Sequence, residues 1–423
     1  MYEIVASLSI FFIVYIFIVS EKIHKTVVAM IGATTLMFLQ IFENPHEVYI
    51  RYVDFNTIFL LIGMMLFVAA MKRTGFFQYV GIKGLKLSGG SLKKLFLILT
   101  TLVAVISAFI DNVTTVMIFV PLTLAVADAV SFDPVPFVLG EIFASNIGGT
   151  ATLIGDPPNI LIGMNAHLSF MDFILNLAPV SVMTLILVDV FLILVYRKDL
   201  SKDFSKLLES GTFYEVKNPK LLVGEILLGV TIFLFLFQHR LNISGSTIAL
   251  LMGFLSVLLI EREKVDEFLK EVDWETIFFF IALFIITGSL EESGVLEKMA
   301  HFMVRIAGNS IEKLQTILIS MSAAISGIVD NIPYTATMIP VIESLPKIDP
   351  SAFSNLEPLW WSLALGACLG GNATPVGASA NVVALQILSQ SGRRVSFKDF
   401  TKTGAVVVAI SVITSTLYVL LRY

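Results

Sequence analysis

Two aspartate–asparagine pairs lie in otherwise apolar stretches, one pair in each half of the 423-residue chain. Asp111 and Asn112 correspond to Asp330 and Asn331, and the matched positions are 219 residues apart. A carboxylate costs about 2.5 kcal/mol or more at the centre of a bilayer, so ionisable residues at that depth usually bind or carry ions. The repeated pairs therefore predict an ion site built from two related halves of a membrane transporter.

Two further segments combine glycine, proline and polar residues inside apolar runs. Residues 146–159 read Asn-Ile-Gly-Gly-Thr-Ala-Thr-Leu-Ile-Gly-Asp-Pro-Pro-Asn, and residues 370–381 repeat the pattern with a shift of 222. Glycines and consecutive prolines interrupt a helix, and a membrane accepts such breaks only where protein or water satisfies the backbone. We expect unwound stretches whose helix N-termini attract anions and whose carbonyl and carboxylate oxygens attract cations.

The predicted site lies where the two aspartate-bearing tips and the two broken segments meet near the middle of the membrane. Asp111 and Asp330 are expected to alternate between protonated and cation-bound states, with Asp156 tuning or sharing the site. These four stretches contain no lysine, arginine or histidine, so their field favours Na⁺ or H⁺. Any single asparagine or threonine could instead serve only to bond neighbouring helices. The candidate binding residues are Asp111, Asn112, Thr114, Thr115, Asn146, Thr150, Thr152, Asp156, Asn159, Asp330, Asn331, Thr335, Asn372, Thr374, Ser379 and Asn381, with Asp111, Asn146, Asp156, Asp330 and Asn372 as possible Na⁺ ligands.

The composition places the whole chain in a membrane and excludes several classes of function. Apolar residues make up 56% of the sequence and charged residues 14%, more apolar surface than a soluble fold of this length could bury. The single cysteine, Cys368, excludes an internal disulfide framework and a cysteine-rich metal site. Because no nucleotide-binding motif and no catalytic constellation appears, neither an enzyme nor a nucleotide or nucleic-acid binder is expected.

The distribution of basic residues predicts the path of the chain through the membrane. The clusters that hold most of the 28 lysines and arginines can all be cytoplasmic, as the positive-inside rule requires, only if two segments enter and leave on the same side. The predicted fold is therefore an all-α polytopic membrane protein with about ten transmembrane helices, two re-entrant helical hairpins and two broken helices. Both termini are expected to be external. The basic clusters lie near residues 22–25, 72–94, 197–220, 262–270 and 393–402.

The two hairpins then enter from opposite faces, so the halves form an inverted repeat. An amphipathic cytoplasmic linker is expected between them. The first repeat covers residues 1–197 with its hairpin at 95–127 and broken helix at 137–164, the linker covers 198–219, and the second repeat covers 220–423 with its hairpin at 314–343 and broken helix at 357–388.

The motifs resemble the arsenite permease, sodium/proton antiporter and melanosomal P-protein branch of the ion transporter superfamily. Residues 107–115, 148–159 and 329–333 carry the resemblance, and the Gly-Asp-Pro-Pro-Asn string that ends at Asn159 is its most specific part. The resemblance implies a homodimer in which a transport part carries the hairpins and broken helices across the membrane in an elevator-type movement. The Ser-Asn-Thr motifs of the superfamily's dicarboxylate carriers are only partly present, since Ile147 follows Ser145-Asn146.

The leading functional prediction is ion-coupled secondary active transport of a small inorganic ion or anion, with Na⁺/H⁺ exchange as the main hypothesis. Alternatives are arsenite or antimonite efflux and Na⁺- or H⁺-coupled uptake of a small dicarboxylate-like anion, whereas an ion channel is disfavoured by the inverted repeats. No cofactor is expected beyond the coupling ion, Na⁺ or H⁺. Expected partners are the lipid bilayer, a small ion and a second copy of the chain, with no nucleic acid and no required ATPase subunit. The expected location is a prokaryotic plasma (inner) membrane.

Overall fold

The computed structural model describes residues 2–20, 22–130, 132–201, 218–308 and 310–423. Within these ranges every regular element is a helix, which confirms the predicted all-α class. Residues 202–217 of the expected linker at 198–219 lie outside the described residues. The helices of the first half are α1 Tyr2–Ser20, α2 Lys25–Phe38, α3 Val48–Tyr52, α4 Phe55–Arg73, α5 Phe76–Leu87, α6 Leu92–Ser107, α7 Asn112–Val130, α8 Val135–Thr150, α9 Pro157–Asn165 and α10 Phe170–Val195. Those of the second half are α11 Leu221–Leu236, α12 Gln238–Leu241, α13 Gly245–Glu261, α14 Val265–Glu271, α15 Trp274–Glu292, α16 Val295–Ala307, α17 Ile311–Ser326, α18 Asn331–Ile348, α19 Glu357–Gly370, α20 Ser379–Gln390 and α21 Phe397–Arg422.

Six helices of the described chain are long and apolar enough to cross a membrane, by length and composition. Three shorter apolar helices, α1, α2 and α11, lie at three other predicted spans. The long segment Asn112–Ala129 is the second arm of the first predicted hairpin, and the other five coincide with predicted spans. These five are Phe55–Arg73, Phe170–Val195, Gly245–Glu271, Trp274–Glu292 and Phe397–Arg422.

Helix bounds in the two halves follow the shifts read from the sequence. Helices α4 and α15 begin 219 residues apart, at Phe55 and Trp274, and α5 and α16 keep that spacing. The shift becomes 222 residues between the starts of α8 and α19. Equivalent aspartates cap the starts of α4 and α15, where Asp54 and Asp273 accept hydrogen bonds from backbone N–H groups. The duplication is therefore visible in local structure as well as in sequence.

Both predicted hairpins contain a break at the expected aspartate. The first is interrupted between Ser107 and Asn112, and the second between Ser326 and Asn331. Each broken helix is likewise divided in two, as α8 with α9 and α19 with α20. The re-entrant path and the opposite orientation of the halves stay predictions.

Each first hairpin arm packs closely on the first part of the following broken helix. A Cβ atom placed on Gly148 of α8 would lie 2.1 Å from the backbone oxygen of Ala104 in α6. In the second half, a Cβ atom on Gly370 would lie 2.5 Å from the Cα atom of Ala323 in α17. Only glycine permits such backbone contact, so these residues fix each hairpin on its broken helix.

Two helices that the sequence analysis treated as part of loops are present in equivalent places. Helix α5 follows Gly75 and α16 follows Gly294, and both glycines have a positive φ, +74° and +69°. A left-handed residue turns the chain sharply and favours glycine. Helices α5 and α16 are too short and too polar to match a membrane span, so the sequence does not predict them.

Candidate ion-binding site

Hydroxyl side chains hold each hairpin tip against its broken helix. A serine at the end of each first hairpin arm donates to a backbone oxygen of the broken helix, and a threonine of each broken segment donates back to the tip. These residues correspond by the same repeat shifts, so both halves use one local design. The bonds are Ser107 Oγ to the Ser145 oxygen (2.7 Å) and Thr152 Oγ1 to the Ala108 oxygen, and Ser326 Oγ to the Ala367 oxygen (2.5 Å) and Thr374 Oγ1 to the Gly327 oxygen (2.6 Å).

Asn159 and Asn381 satisfy carbonyl oxygens that the broken helices leave free. The side-chain nitrogen of Asn159 lies 3.0 Å from the Thr150 oxygen and 2.8 Å from the Thr152 oxygen. The nitrogen of Asn381 lies 2.9 Å from the Thr374 oxygen. Both asparagine side chains are fully buried, so they replace the backbone partners that unwinding removes.

A buried network of amide side chains joins the two halves at the centre. Asn112 of the first tip donates to Asn146 at 3.0 Å. Asn146 donates in turn to Asn372 at 2.8 Å and to Asn381 at 3.0 Å, across more than 220 residues of sequence. The side-chain nitrogen of Asn372 is buried and has no hydrogen-bond partner within the described chain. It is therefore a free donor at the centre of the network.

Asp156 receives the tip of the second hairpin. The side-chain nitrogen of Asn331 lies 3.3 Å from each carboxylate oxygen of Asp156, which is only 1% exposed. By the 222-residue shift, Asp156 corresponds to Ala378 and Asn146 corresponds to Cys368. The two halves therefore differ at the centre, because the first supplies both the carboxylate and the bridging amide.

The two tip aspartates are held differently. Asp111 accepts a bond from the backbone nitrogen of Thr114 at 2.8 Å. Asp330 accepts one from the backbone nitrogen of Ile332 at 3.2 Å, and its Oδ2 atom lies 2.9 Å from Nζ of Lys25. Lys25 begins α2, outside the four stretches considered from sequence. If Asp330 alternates between a protonated and a cation-bound state, as predicted, a cation that binds it in this conformation must displace Lys25.

A cavity of about 450 Å³ adjoins these residues. The first residues of α7, α9, α18 and α20 line it, so four helix N-termini border the cavity. Its described lining has more acidic than basic side chains, and a negative field attracts cations. The acidic lining residues are Asp111, Asp156, Glu271, Asp273, Glu275 and Asp330, and the basic ones are Lys25 and Lys72.

The predicted site residues divide into those that line this cavity and those behind it. The second group mostly supports the backbone or the amide network, although the Thr335 hydroxyl is buried without a hydrogen-bond partner in the described chain. The lining residues are Asp111, Asn112, Thr114, Asp156, Asp330, Asn331 and Ser379. Those not lining it are Thr115, Asn146, Thr150, Thr152, Asn159, Thr335, Asn372, Thr374 and Asn381.

The described residues contain no group of three or more histidine, cysteine, aspartate or glutamate side chains that could hold a metal ion. Asp111, Asp156 and Asp330 thus do not converge on one point. A Na⁺ ion here would need amide, hydroxyl or backbone oxygens beside at most two carboxylates.

Helices α1 and α2 bring two further residues to this region that the sequence did not predict. Tyr15 donates to the Pro333 oxygen at 2.6 Å and lies 2.9 Å from Thr337 Oγ1, which ties α1 to α18. Lys25 pairs with Asp330. A tyrosine in an apolar helix and a lysine at a helix start carry no repeat signal, so nothing in the sequence distinguishes them.

Two other buried carboxylates lie away from the cavity lining. Asp189 accepts a bond from Thr100 Oγ1 at 3.0 Å, and Glu141 is bonded to Thr123. Both have side-chain partners on neighbouring helices, and neither lines the cavity.

Comparison with known proteins places the chain among membrane transporters. The family profile described as a citrate transporter, CitMHS, matches residues 15–366. An uncharacterized transporter of Mycobacterium bovis is 39% identical, with 99% of this chain and 98% of the relative aligned. The 46 kDa membrane protein of Mycobacterium leprae is 36% identical over 99% of both chains.

More distant similarities support the resemblance and the fold. The human P protein is 30% identical over 97% of this chain, which spans 59% of the P protein's length. This similarity confirms the resemblance read from the motifs. The crystal structure of the Alcanivorax borkumensis YdaH transporter, described as having an unusual topology, superposes with a TM-score of 0.58 at 15% identity, covering 88% of this chain and 86% of that chain. At that identity the likeness shows the fold alone.

Proposed function

The chain belongs to the CitMHS citrate transporter family and is a multi-span integral membrane transporter, and we propose that it couples transport to a cation bound at Asp156. In the leading form of this proposal, Asp156 alternates between a protonated form and a Na⁺-bound form. The protein then exchanges Na⁺ for H⁺ across a bacterial plasma membrane.

The observation that carries the proposal is a buried carboxylate that faces the cavity without a cationic partner in the described chain. The oxygens of Asp156 receive the Asn331 amide at 3.3 Å and the buried Cys368 thiol, and neither donor carries a charge. Hydrogen bonds of that length are weak, so most of the accepting capacity of the carboxylate is unused. An ionised carboxylate at membrane depth requires a compensating charge, and a proton or Na⁺ would supply it.

The charge of the cavity favours a cation over a bare anion. Six carboxylates and two lysines line its described part, and one lysine, Lys25, is already paired with Asp330. A cleft lined by one sign of charge concentrates the opposite ion. An anion would therefore enter most readily together with a cation.

The mechanism requires alternating access to this cavity. Its lining includes Lys72, Glu271 and Glu275, which follow or belong to basic clusters that the positive-inside rule predicts to be cytoplasmic. In this proposal the structure is inward-facing. The hairpins and broken helices then move as a transport part against α2, α4, α13 and α15, as in an elevator, within a homodimer.

The proposal is tested by ion flux in proteoliposomes loaded with a pH-sensitive dye. An imposed Na⁺ gradient should move protons in the opposite direction, and Asp156→Asn should reduce that rate at least about tenfold because it removes the exchangeable charge. Asp189→Asn is the matched control, since it neutralises another buried membrane carboxylate that does not line the cavity. Wild-type vesicles in which the Na⁺ gradient moves no protons would exclude Na⁺/H⁺ exchange.

A second candidate function is transport of a carboxylate anion together with the cation. Four helix N-termini border the cavity, and helix N-termini attract anionic oxygens. The family profile carries the description citrate transporter. The same vesicles should be tested for uptake of labelled citrate, a simple dicarboxylate and arsenite, each with and without Na⁺. Uptake of citrate that needs Na⁺ would support this candidate, and vesicles that take up none of the three anions would exclude it.

A further inference from the structure

We infer that the Lys25 ammonium competes with the coupling cation for the Asp330 carboxylate, and that it does so only in the conformation of this structure. This inference rests on the proposed cation-coupled transport and extends it to Asp330, a second carboxylate that lines the same cavity as Asp156. The ion pair joins α2, one of the helices against which the proposed transport part moves, to the tip of the second hairpin at the N-terminus of α18. The distance between Nζ of Lys25 and Oδ2 of Asp330 is 2.9 Å. The positive charge of Lys25 on α2 is therefore in direct contact with the Asp330 carboxylate at the hairpin tip.

The surroundings of Lys25 hold its ammonium at this position. The pair is largely shielded, with side-chain exposures of 30% for Lys25 and 14% for Asp330. The ammonium lies 5.1 Å from the ring centroid of Phe279 on α15, and Asp273 and Glu275 add negative field. A charge-assisted hydrogen bond in such a partly buried setting is stronger than a bond between exposed ions.

The repeat has no equivalent lysine in the second half. Thr26 donates to the Glu275 backbone oxygen at 3.1 Å, and Ser246 lies in the corresponding place, 3.2 Å from the Asn56 side chain. If Thr26 corresponds to Ser246, the residue before it, Lys25, corresponds to Gly245. By the 219-residue shift, Lys25 corresponds to Ser244. Neither residue carries a charge, so Asp111 has no matching cation to meet.

In an inverted repeat, the opposite conformation follows when the two halves exchange their arrangements. That exchange separates Asp330 from Lys25 and brings Asp111 towards uncharged Gly245. A cation that reaches Asp330 in the present conformation must displace the ammonium, whereas in the opposite conformation it meets a free carboxylate. Lys25 therefore weakens cation binding on one face and stabilises the empty protein in the conformation open to that face.

The test measures conformation without ion transport. Val383 lines the cavity and is partly exposed, so Val383→Cys reports by its rate of maleimide labelling in choline chloride without Na⁺; the native Cys368 is buried. In this background, Lys25→Gln should slow labelling at least about threefold by reducing the population of this conformation, and Lys25→Arg should restore it. Lys72→Gln is the matched control, because it removes an equal charge from the same cavity without touching the ion pair.

A second measurement addresses competition. The Na⁺ concentration that half-saturates transport at the face open in this conformation should fall about tenfold in Lys25→Gln. In this variant Na⁺ no longer has to displace a hydrogen bond between charged groups, and the strength of such a bond corresponds to about a tenfold change in affinity. Asp330→Asn should slow labelling as Lys25→Gln does, and the double variant should add nothing further. Labelling unchanged by Lys25→Gln, or slowed equally by Lys72→Gln, would overturn the inference. If wild-type vesicles show no Na⁺-driven flux, the proposed function fails, and the labelling result still decides whether the ion pair biases the conformation.

Discussion

The side-chain nitrogen of Asn331 lies 3.3 Å from both carboxylate oxygens of Asp156, although 175 residues separate the two in sequence. In the other half the equivalent asparagine, Asn112, meets the amide oxygen of Asn146 at 3.0 Å. A carboxylate therefore stands opposite one tip and a neutral amide opposite the other. A carboxylate that faces a tip asparagine is therefore present in one half of the repeat and not in the other.

Na⁺ binding at Asp156 should stabilise the folded protein. A ligand at about a hundred times its dissociation constant stabilises the bound state by about 2.7 kcal/mol, so the melting temperature in detergent should rise with NaCl relative to choline chloride. Asp156→Asn should lose this rise, while Asp189→Asn should keep it. The measurement is thermal unfolding followed by tryptophan fluorescence, and an equal rise in Asp156→Asn would place the cation elsewhere.

Alanine at Gly148 or Gly370 should destabilise the packing of each hairpin on its broken helix. The added Cβ atom would meet backbone atoms of Ala104 or Ala323 at 2.1 and 2.5 Å, and backbone cannot move aside as a side chain can. Overpacking of this kind costs about 1–3 kcal/mol, which should lower the melting temperature of both variants.

The control for these variants is Gly229→Ala in α11, where a Cβ atom meets nothing within 4 Å. Replacement of a helical glycine by alanine there should be neutral or stabilising by up to about 1 kcal/mol. If all three substitutions changed the melting temperature equally, the close packing at Gly148 and Gly370 would not be the cause.

Removal of the amides that satisfy the broken helices should destabilise both halves to a similar degree. Asn159→Ala and Asn381→Ala each leave buried carbonyl oxygens without a donor, at a cost of about 1–3 kcal/mol. Asn165→Ala is the comparison, since its side chain bonds only one carbonyl of its own helix, that of Leu161 at 2.9 Å, and is partly exposed. Thermal unfolding and flux should both be measured, and an effect of Asn165→Ala as large as the others would contradict this account.

The amide network should behave as one unit. Asn112→Ala and Asn146→Ala remove the two ends of the same 3.0 Å bond, so the double variant should lose less than the sum of the single losses in unfolding free energy. Coupling of about 0.5–3 kcal/mol is typical of residues within one hydrogen-bond network. Strict additivity would mean that each asparagine acts through other contacts.

The sequence predicted the breaks of the membrane segments closely. Asp111 and Asp330 lie in the interruptions of the two hairpins, and Asp156 directly precedes α9. Glycine, proline and capping residues act through their own backbone conformation and through neighbours a few residues away. The repeat adds a second copy of each such signal. Helices α5 and α16 were not predicted, because each has 12 or 13 residues with charged side chains among them and so does not match a membrane span.

The sequence by itself determined the membrane class, the duplicated halves and the places where helices stop, because composition, periodicity and backbone preference are local properties. Only the tertiary structure decided which polar groups meet. It brings Asn331 to Asp156, joins Asn146 to Asn372, and sets Lys25 on Asp330. These partners lie 175 to 305 residues apart in sequence, and their meeting depends on how whole helices pack. An aspartate without a cationic partner in the described chain, such as Asp156, and one paired with a lysine, such as Asp330, cannot be told apart from the sequence alone.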